Sequence, residues 1–566
     1  MAGERGWGRR ERARASHRPA LVAYAVVTAV FLWPAVRHFR TRPMLGSGDG
    51  SFFYWAWWSM PRALAEGRSP FDSPLLFHPV GVDLRLSTLA PLPALLTAPV
   101  RFALGPAAQV NATQLLAAWS AAVVAYLLLD RVWSHRGAAF VGGFAYSFSA
   151  FRFVHAPGHL NLVSTVFLPL GVLLLLRLVE APSIRRGALL GAALGAAFLT
   201  DPQIAVLTLV CLVPVAVHHR EPLRSHARLL VAAAVVALVV AAPLLVPVGT
   251  ALRTTDTGDA DSPVAEVTYS SDPTLWLVPP VEHPVLGSLA AHLAGTRRSE
   301  GVAYPGLAIV ALAIVAAVIR PVKDRAMWAG MALLGFVLSL GPYVSYPGGF
   351  YRIPLPFMWV RSMPLLSAMR VPGRFALVGV LGLAALAAGA LAGLPRRRGS
   401  WILVVGAVLG VELLPHHPPA GSLAAPAPYA AIRSATGEAA VLEIPLQWST
   451  GTAVIGDNVT PGDDSVFLAY ATEHGHPIVN GVASRFPEDR LTTLLAVPAY
   501  RQVLSLQHDP GFTDAPDFDA ADLAALDIGF VVYHRDRPMP DVLRYIESLH
   551  LPVLADDGVV VVWAVR

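Results

Sequence analysis

The residue best placed to do chemistry is Asp49, an early carboxylate in Gly48-Asp49-Gly50. An aromatic run follows it: Phe52, Phe53, Tyr54, Trp55, Trp57 and Trp58. Aromatic side chains at this density are typical of a membrane–water interface. We predict a helix from Ser51 to Glu66, kinked at Pro61, that lies along the membrane surface just after Asp49. Asp49 is then either a general base at the edge of the lipid or a turn aspartate that caps the helix.

A second polar segment runs from Arg152 to Asn161 and contains two histidines four residues apart, His155 and His159. On one helix face such a pair could bind a metal ion, but Pro157 and Gly158 interrupt the helix. His159 and Asn161 remain candidates for hydrogen bonds to a polar ligand. The alternative for His159 is a helix cap just before Leu160.

Four arginines lie in or beside residues 342–372: Arg352, Arg361, Arg370 and Arg374. A guanidinium group matches phosphate oxygens in a bidentate way, so these residues could form a phosphate clamp. Arginines at a membrane interface also anchor helices, and the sequence leaves both interpretations open.

Other carboxylates fit structural roles better. Asp201 precedes Pro202 between two apolar segments, the pattern of a helix cap. Asp256, Asp259 and Asp261 lack the glycine and glutamate spacing of an EF-hand, so we interpret them as a solvated loop.

The composition identifies the elements that must position these residues. Hydrophobic residues make up 55% of the 566-residue chain and charged residues only 14%, which excludes an ordinary soluble protein and indicates a polytopic membrane protein. The single cysteine, Cys211, lies in a predicted span, so a disulfide framework is excluded.

The arginines also predict the topology. An arginine-rich segment, residues 1–18, precedes an apolar run without a cleavage site, which we interpret as a retained anchor. If residues 87–104 lie in the membrane without crossing it, the later clusters of positive charge fall in alternate short turns, which are cytoplasmic by the positive-inside rule. Eleven spans follow, with the N-terminus inside and the C-terminus outside: residues 19–36, 109–130, 137–153, 160–179, 186–200, 202–219, 229–250, 301–319, 326–341, 373–394 and 400–415.

The sequence therefore predicts a mainly α-helical membrane domain over residues 19–417, with an outward first loop at 37–87. From residue 418 to 566 the composition changes to that of a small α/β domain outside the cell, with strands such as Ala440–Pro445 and helices such as Pro540–Leu549. This tail carries 19 acidic residues and 8 arginines, a net charge of −11, which argues against binding to nucleic acid.

A long outward loop with an early acidic residue, an aromatic surface helix, many spans and an exported tail resemble the C-type glycosyltransferase superfamily. The segments that carry the resemblance, shared with a group of uncharacterised bacterial membrane proteins, are Asp49-Gly50, Arg68-Ser69-Pro70-Phe71, His78-Pro79-Val80-Gly81-Val82 and Gly158-His159-Leu160-Asn161. The resemblance implies a bacterial plasma-membrane enzyme, a hexosyl- or pentosyltransferase with a polyprenyl-phosphate sugar donor and a glycan, lipid or protein acceptor of the cell envelope.

By the same resemblance Asp49 is the catalytic base. The candidate substrate-binding residues are Asp72, His78, His159, Asn161, Arg352, Arg370 and Arg374, and Asp72 or Asp83 could also be the second acidic residue of the superfamily. Neither forms a D-x-D pair with Asp49, so a divalent cation (Mg²⁺ or Mn²⁺) stays open and no metal ligand is assigned. The alternatives are a lipid or polysaccharide transporter, which should carry polar residues inside its bundle, and a non-enzymatic envelope-assembly protein, which needs no Asp49.

Overall fold

The computed structural model describes residues 16–46, 48–254, 263–294, 301–346, 349–363, 366, 369–395, 399–415, 423–451, 453–456, 465–512 and 516–565. The arginines before Ser16, the loop with Asp256, Asp259 and Asp261, and the cluster Arg396 to Arg398 lie outside the described residues. The predictions made on them stay untested.

Helices make up most of the membrane domain. In chain order they are α1 (Arg18–Phe31), α2 (Trp33–Arg37), α3 (Asp49–Ala65), α4 (Pro91–Leu104), α5 (Pro106–Trp133), α6 (Arg136–Ser147), α7 (Ala150–His155), α8 (Phe167–Glu180), α9 (Ile184–Thr200), α10 (Pro202–His218), α11 (Arg220–Ser225), α12 (Ala227–Thr254), α13 (Pro263–Thr268), α14 (Gly287–Ala294), α15 (Leu307–Ile314), α16 (Arg325–Ser339), α17 (Pro356–Val360), α18 (Ala376–Ala392) and α19 (Ser400–Glu412). Short strands β1 (Asp72–Ser73), β2 (Val82–Asp83), β3 (Tyr343–Tyr346) and β4 (Gly349–Pro354) form two hairpin-like pairs.

Three described helices are long and apolar enough to cross a membrane by themselves: residues 106–133, 227–253 and 372–392. Shorter apolar helices accompany them, and each predicted span contains a helix. The chain is thus a mainly helical protein with membrane-type helices, and the number of crossings stays a prediction.

Glycine permits a close contact between two helices of this domain. Gly187, Gly191 and Gly195 form a stripe on α9 at intervals of four residues. A Cβ atom at Gly191 would lie 2.1 Å from the backbone oxygen of Ala233 on α12, and one at Gly187 would lie 2.7 Å from that of Leu229. The two helices therefore pack backbone to backbone, as small-residue stripes allow in membranes.

The tail is an α/β unit. Its helices are α20 (Tyr429–Ser434), α21 (Val466–His474), α22 (Glu488–Leu495), α23 (Pro498–Leu506), α24 (Ala520–Ala525) and α25 (Pro540–Ser548), and its strands are β5 (Ala440–Ile444), β6 (Trp448–Ser449), β7 (Val454–Ile455), β8 (Gly481–Val482), β9 (Ile528–His534), β10 (Val553–Asp556) and β11 (Val560–Ala564). The larger sheet has the order β10-β11-β9-β5, with β5 parallel to β9 and the other pairs antiparallel. β5 and β9 are buried along their whole length, because helices cover both faces of this sheet's centre.

The aromatic helix α3 packs against this tail. Phe53 is 3% exposed, Trp55 0% and Trp57 2%, and all three belong to one hydrophobic cluster with the core of the sheet. The helix extends to Ala65 with Pro61 inside it, as predicted. The prediction that its aromatic run lies on the lipid is wrong, because protein from the far end of the chain covers that face.

A second prediction needs correction. The start of a capped helix before Leu160 is absent, because the residues after α7 form turns as far as Val166 and α8 begins at Phe167. His159 therefore belongs to an irregular segment, where its side chain is not used as a cap. The capping role of Asp201 is confirmed, since its Oδ1 accepts a hydrogen bond from the backbone N–H of Gln203 at 2.6 Å.

Candidate functional site

Three chain segments pack closely around Asp49. Gly48, at φ +77°, brings the chain into α3, and Asp49 is the first residue of that helix. The backbone N–H of Gly46 donates to the Pro157 carbonyl at 2.8 Å, and a Cβ atom at residue 50 would lie only 2.8 Å from the same oxygen. Ser465 of the tail donates its hydroxyl to the Gly48 carbonyl at 2.6 Å. Glycines on both sides of Asp49 are therefore a requirement of the packing.

His159 is the partner of Asp49. Its Nε2 lies 3.3 Å from Oδ2 of the carboxylate. The Asp49 side chain is 61% exposed and that of His159 is 22% exposed, so the carboxylate is open to a ligand while the imidazole is partly covered. With the proton on Nε2, the imidazole donates to the carboxylate and fixes its direction.

A chain of hydrogen bonds lies beside this pair. Asn161 donates its Nδ2–H to Oδ2 of Asp201 at 2.8 Å, and Arg374 donates from Nη1 to Oε1 of Gln203 at 2.6 Å. Asp201 is 2% exposed, and this burial raises the pKa of its carboxyl, although the hydrogen bonds from Asn161 and from the Gln203 backbone oppose the change. The segments that contain Asn161, Asp201 and Arg374 are thus joined at the beginning of α10.

Arginines supply the positive charge of the site. Arg374 is 6% exposed and lies in the 3₁₀ turn Pro372–Phe375 that leads into α18, and Arg370 precedes this turn. Arg85 pairs with Asp83, donating from Nη2 to Oδ2 at 2.6 Å, and Arg485 comes from the tail just after β8. The helix dipole destabilises a cation in the first turn of a helix. A bound anion would offset this cost, so the position of Arg374 favours one.

Most of these groups line one cavity of about 560 Å³. Asp49, His159, Asn161, Asp201, Gln203 and the four arginines Arg85, Arg370, Arg374 and Arg485 are among its lining residues. Four guanidinium groups against the two lining carboxylates give the walls a net positive charge. The tail completes the enclosure with Ser449, Gly451 and residues 482–485.

One wall is apolar and belongs to α12. Leu244, Val248 and Leu252 line the cavity at intervals of four residues and therefore form one stripe of this helix. Most of the remaining surface of α12 faces away from the protein, as expected for a helix in contact with lipid. The polar cavity is thus continuous with a surface suited to hydrocarbon chains.

Three predicted substrate-binding residues do not line this cavity. Asp72 is exposed on β1, and Arg352 is exposed on β4. His78 joins the first loop to the tail, since its Nε2 bonds to the Leu526 carbonyl at 2.7 Å and its own carbonyl accepts from the Tyr500 hydroxyl. Arg361, the fourth arginine of the predicted clamp, pairs with buried Glu266 at 2.8 Å. The structure therefore brings together Asp49, His159, Asn161, Arg370 and Arg374 and no others of the predicted set.

Three cavity residues were missed or underestimated by the sequence reasoning. Arg85 and Arg485 are 400 residues apart in the sequence, and no local pattern marks either of them. Asp201 was correctly predicted as a cap, but its second oxygen also holds Asn161. The one sequence signal for this second role was the predicted topology, which puts Asp201 on the same side of the membrane as Asp49.

The described residues form no cage that would hold a metal ion by protein ligands alone. Within the described ranges no group of three or more His, Cys, Asp or Glu side chains lies close enough to hold one. Of the two lining carboxylates, Asp201 already accepts hydrogen bonds on both oxygens. Asp49 and His159 are then the lining groups left for a divalent cation, and because one carboxylate together with a substrate phosphate can hold Mg²⁺, a bound Mg²⁺ or Mn²⁺ stays a prediction.

The fold is that of the C-type membrane glycosyltransferases. The chain superposes on the arabinofuranosyltransferase AftD from Mycobacteria with a TM-score of 0.60 and 16% identity, over 97% of this chain and 40% of AftD. It superposes on ArnT from Cupriavidus metallidurans, in a structure with bound undecaprenyl phosphate, with a TM-score of 0.53 and 16% identity, over 98% of this chain and 99% of ArnT. The chain thus spans less than half of AftD and nearly all of ArnT.

Residues 20–413 match the family DUF6311, described as a domain of unknown function. This match covers more than half of the chain, and the protein therefore belongs to that family. No curated protein sequence matches it significantly.

Proposed function

We propose that this protein is a membrane glycosyltransferase that transfers a hexose or pentose from a polyprenyl-phosphate donor to an acceptor of the bacterial cell envelope. One observation carries the proposal: a carboxylate and an arginine cluster, distant in sequence, converge on a single cavity with an apolar wall on a lipid-type helix. An enzyme needs this convergence, whereas an assembly protein has no use for it.

Asp49 acts as the general base. It takes the proton of an acceptor hydroxyl while the acceptor oxygen attacks the anomeric carbon, the bond from that carbon to the phosphate oxygen breaks, and polyprenyl phosphate leaves as an anion. His159 orients the carboxylate through its 3.3 Å contact. The high exposure of Asp49 suits a group that must meet an acceptor.

The arginine side of the cavity binds the donor phosphate. Arg370 and Arg374 lie at the beginning of the helix over residues 372–392, so the phosphate sits at the membrane surface while its polyprenyl chain follows Leu244, Val248 and Leu252 of α12. Charge-assisted hydrogen bonds stabilise the phosphate most as the leaving group takes up charge. The undecaprenyl phosphate bound by the similarly folded ArnT supports a donor of this chemical class.

The acceptor enters beneath the tail. Ser449, Ser484 and Arg485 offer it hydroxyl and guanidinium groups in the wall that the tail contributes. The distribution of arginines in the short turns supports an outward-facing cavity, so the acceptor is an envelope glycan, lipid or protein.

An in vitro transfer assay tests this proposal. The full chain in lipid nanodiscs is given a panel of radiolabelled polyprenyl-phosphate sugars together with envelope extract as acceptor. We expect transfer from at least one donor and a loss of about 10²–10⁴ in rate in Asp49→Asn, which keeps the shape of the side chain and removes the base.

Asp72→Asn is the matched control, because Asp72 is an exposed carboxylate of the same loop outside the cavity. It should transfer at the wild-type rate. Activity of Asp49→Asn within a few-fold of wild type would reduce Asp49 to a structural residue and overturn the mechanism.

A further inference from the structure

The carboxylate of Asp201 accepts two hydrogen bonds that serve different purposes. Its Oδ1 accepts from the backbone of Gln203 and caps α10, while its Oδ2 accepts the Nδ2–H of Asn161 from a different segment. A helix cap requires only the first bond. The second bond fixes an amide that lines the cavity, and the capping role leaves it unexplained.

This second bond determines which way the Asn161 amide points. A carboxylate that accepts requires the nitrogen side of the amide, so the carbonyl oxygen Oδ1 must point elsewhere. Asn161 is 2% exposed, and its Oδ1 has no hydrogen-bond partner among the described residues. A buried acceptor without a partner, in the wall of a polar cavity, is suited to a ligand that donates an O–H or N–H group.

The same helix also holds one of the arginines of the site. Gln203, two residues after Asp201, accepts from Arg374 at 2.6 Å. The first turn of α10 therefore positions both a hydrogen-bond acceptor, through Asp201 and Asn161, and a phosphate-binding cation, through Gln203 and Arg374. A polyprenyl-phosphate sugar presents the complementary pair of groups, hydroxyl donors on the sugar and an anion beside it.

We infer that Asp201 is a positioning residue that makes Asn161 a specificity-determining acceptor for a hydroxyl group of the donor sugar. This inference rests on the proposed function, because it places the sugar of that donor at Asn161 and its phosphate at Arg374. Asp201 holds the first of these side chains and Gln203 holds the second, and both lie in the first turn of α10. It predicts that the enzyme distinguishes a sugar-bearing lipid from the bare lipid phosphate through Asn161 and not through its arginines.

Binding of three lipids to the full chain in nanodiscs tests the inference without catalysis: undecaprenyl phosphate, and undecaprenyl phosphate carrying glucose or arabinofuranose. The wild type should bind at least one sugar-bearing lipid more tightly than the bare lipid. Asn161→Ala should weaken binding of that lipid about tenfold and change binding of undecaprenyl phosphate by less than twofold, whereas Arg374→Gln should weaken both.

Asp201→Ser separates positioning from capping, because serine is a good cap but is too short to hold the amide of Asn161. We expect it to reproduce the sugar-specific loss of Asn161→Ala while keeping the wild-type melting temperature. Wild-type binding of the sugar-bearing lipid by Asp201→Ser, or equal losses for all lipids in Asn161→Ala, would overturn the inference and leave the proposed function standing. If the wild type bound none of the three lipids, the proposed function itself would fail.

Discussion

Replacing Arg374 by glutamine should damage donor use more than any other single change in the arginine cluster. Arg374 is 6% exposed, so solvent weakens its interaction with an anion very little. A charge-assisted hydrogen bond contributes about 1.5–3 kcal/mol, which corresponds to a loss of about 10- to 150-fold in kcat/KM for the donor. Arg370 is only half-buried, and its glutamine variant should fall at the lower end of that range.

The lysine variant sharpens this prediction. Lysine keeps the charge and loses the planar fork, so Arg374→Lys should recover part of the lost donor kcat/KM and remain below wild type. Donor kinetics of the purified chain in nanodiscs, with the acceptor held in excess, measure both variants. Arg352→Gln is the control, because Arg352 is an exposed arginine of the same region outside the cavity, and its kinetics should match wild type.

Normal donor kinetics in both Arg370→Gln and Arg374→Gln, under conditions in which Asp49→Asn is inactive, would refute the phosphate-binding role. These arginines would then be structural residues at the start of a membrane helix. Equal loss in Arg352→Gln would show instead that any outer arginine matters through general charge.

Two further predictions concern the tail. If the tail is exported, Ser548→Cys should label in intact cells with a membrane-impermeant thiol reagent while Ser225→Cys, in a predicted cytoplasmic turn, labels only after lysis; both serines are exposed, and the natural Cys211 is buried. Labelling of Ser225→Cys alone in intact cells would invert the topology. Burial lowers the pKa of His474 to about 3, so its neutral form is favoured in the fold. Stability of the tail should therefore fall by about 1.4 kcal/mol for each pH unit between about 6.5 and about 3, where the unfolded imidazole is protonated and the folded one is not. His474→Gln should flatten this dependence in hydrogen-exchange measurements corrected for intrinsic rates, and an unchanged slope would contradict the assignment.

Local patterns in the sequence were enough to predict most of the elements. The strands at Ala440 and Ile528, the helix at Pro540 and the cap at Asp201 all lie where period, turn residues and capping chemistry placed them. These features depend on neighbours within a few residues, and the sequence displays such neighbours directly.

The sequence could not reveal what each surface packs against in the folded chain. The aromatic run after Asp49 is equally suited to lipid and to a protein core, because both are apolar, and only the folded chain shows that the tail covers it. The same limit explains the arginines. Arg361 and Arg370 are alike in the sequence, but Arg361 forms an ion pair with Glu266, whereas Arg370 lines the cavity. Arg485 joins the site from a segment with no pattern of its own.

The packing of α3 against the tail also constrains the order in which the protein can be built. Trp57 and Trp448 belong to one hydrophobic cluster, yet 391 residues separate them (448 − 57). At about 5–20 residues per second, the ribosome needs about 20–80 s to supply the second after the first. During that interval the aromatic face has no tail to cover it, and we expect it to rest on the membrane surface, where its composition is tolerated. The affinity of this helix for lipid then serves the nascent chain, and the cavity closes only when translation is almost complete.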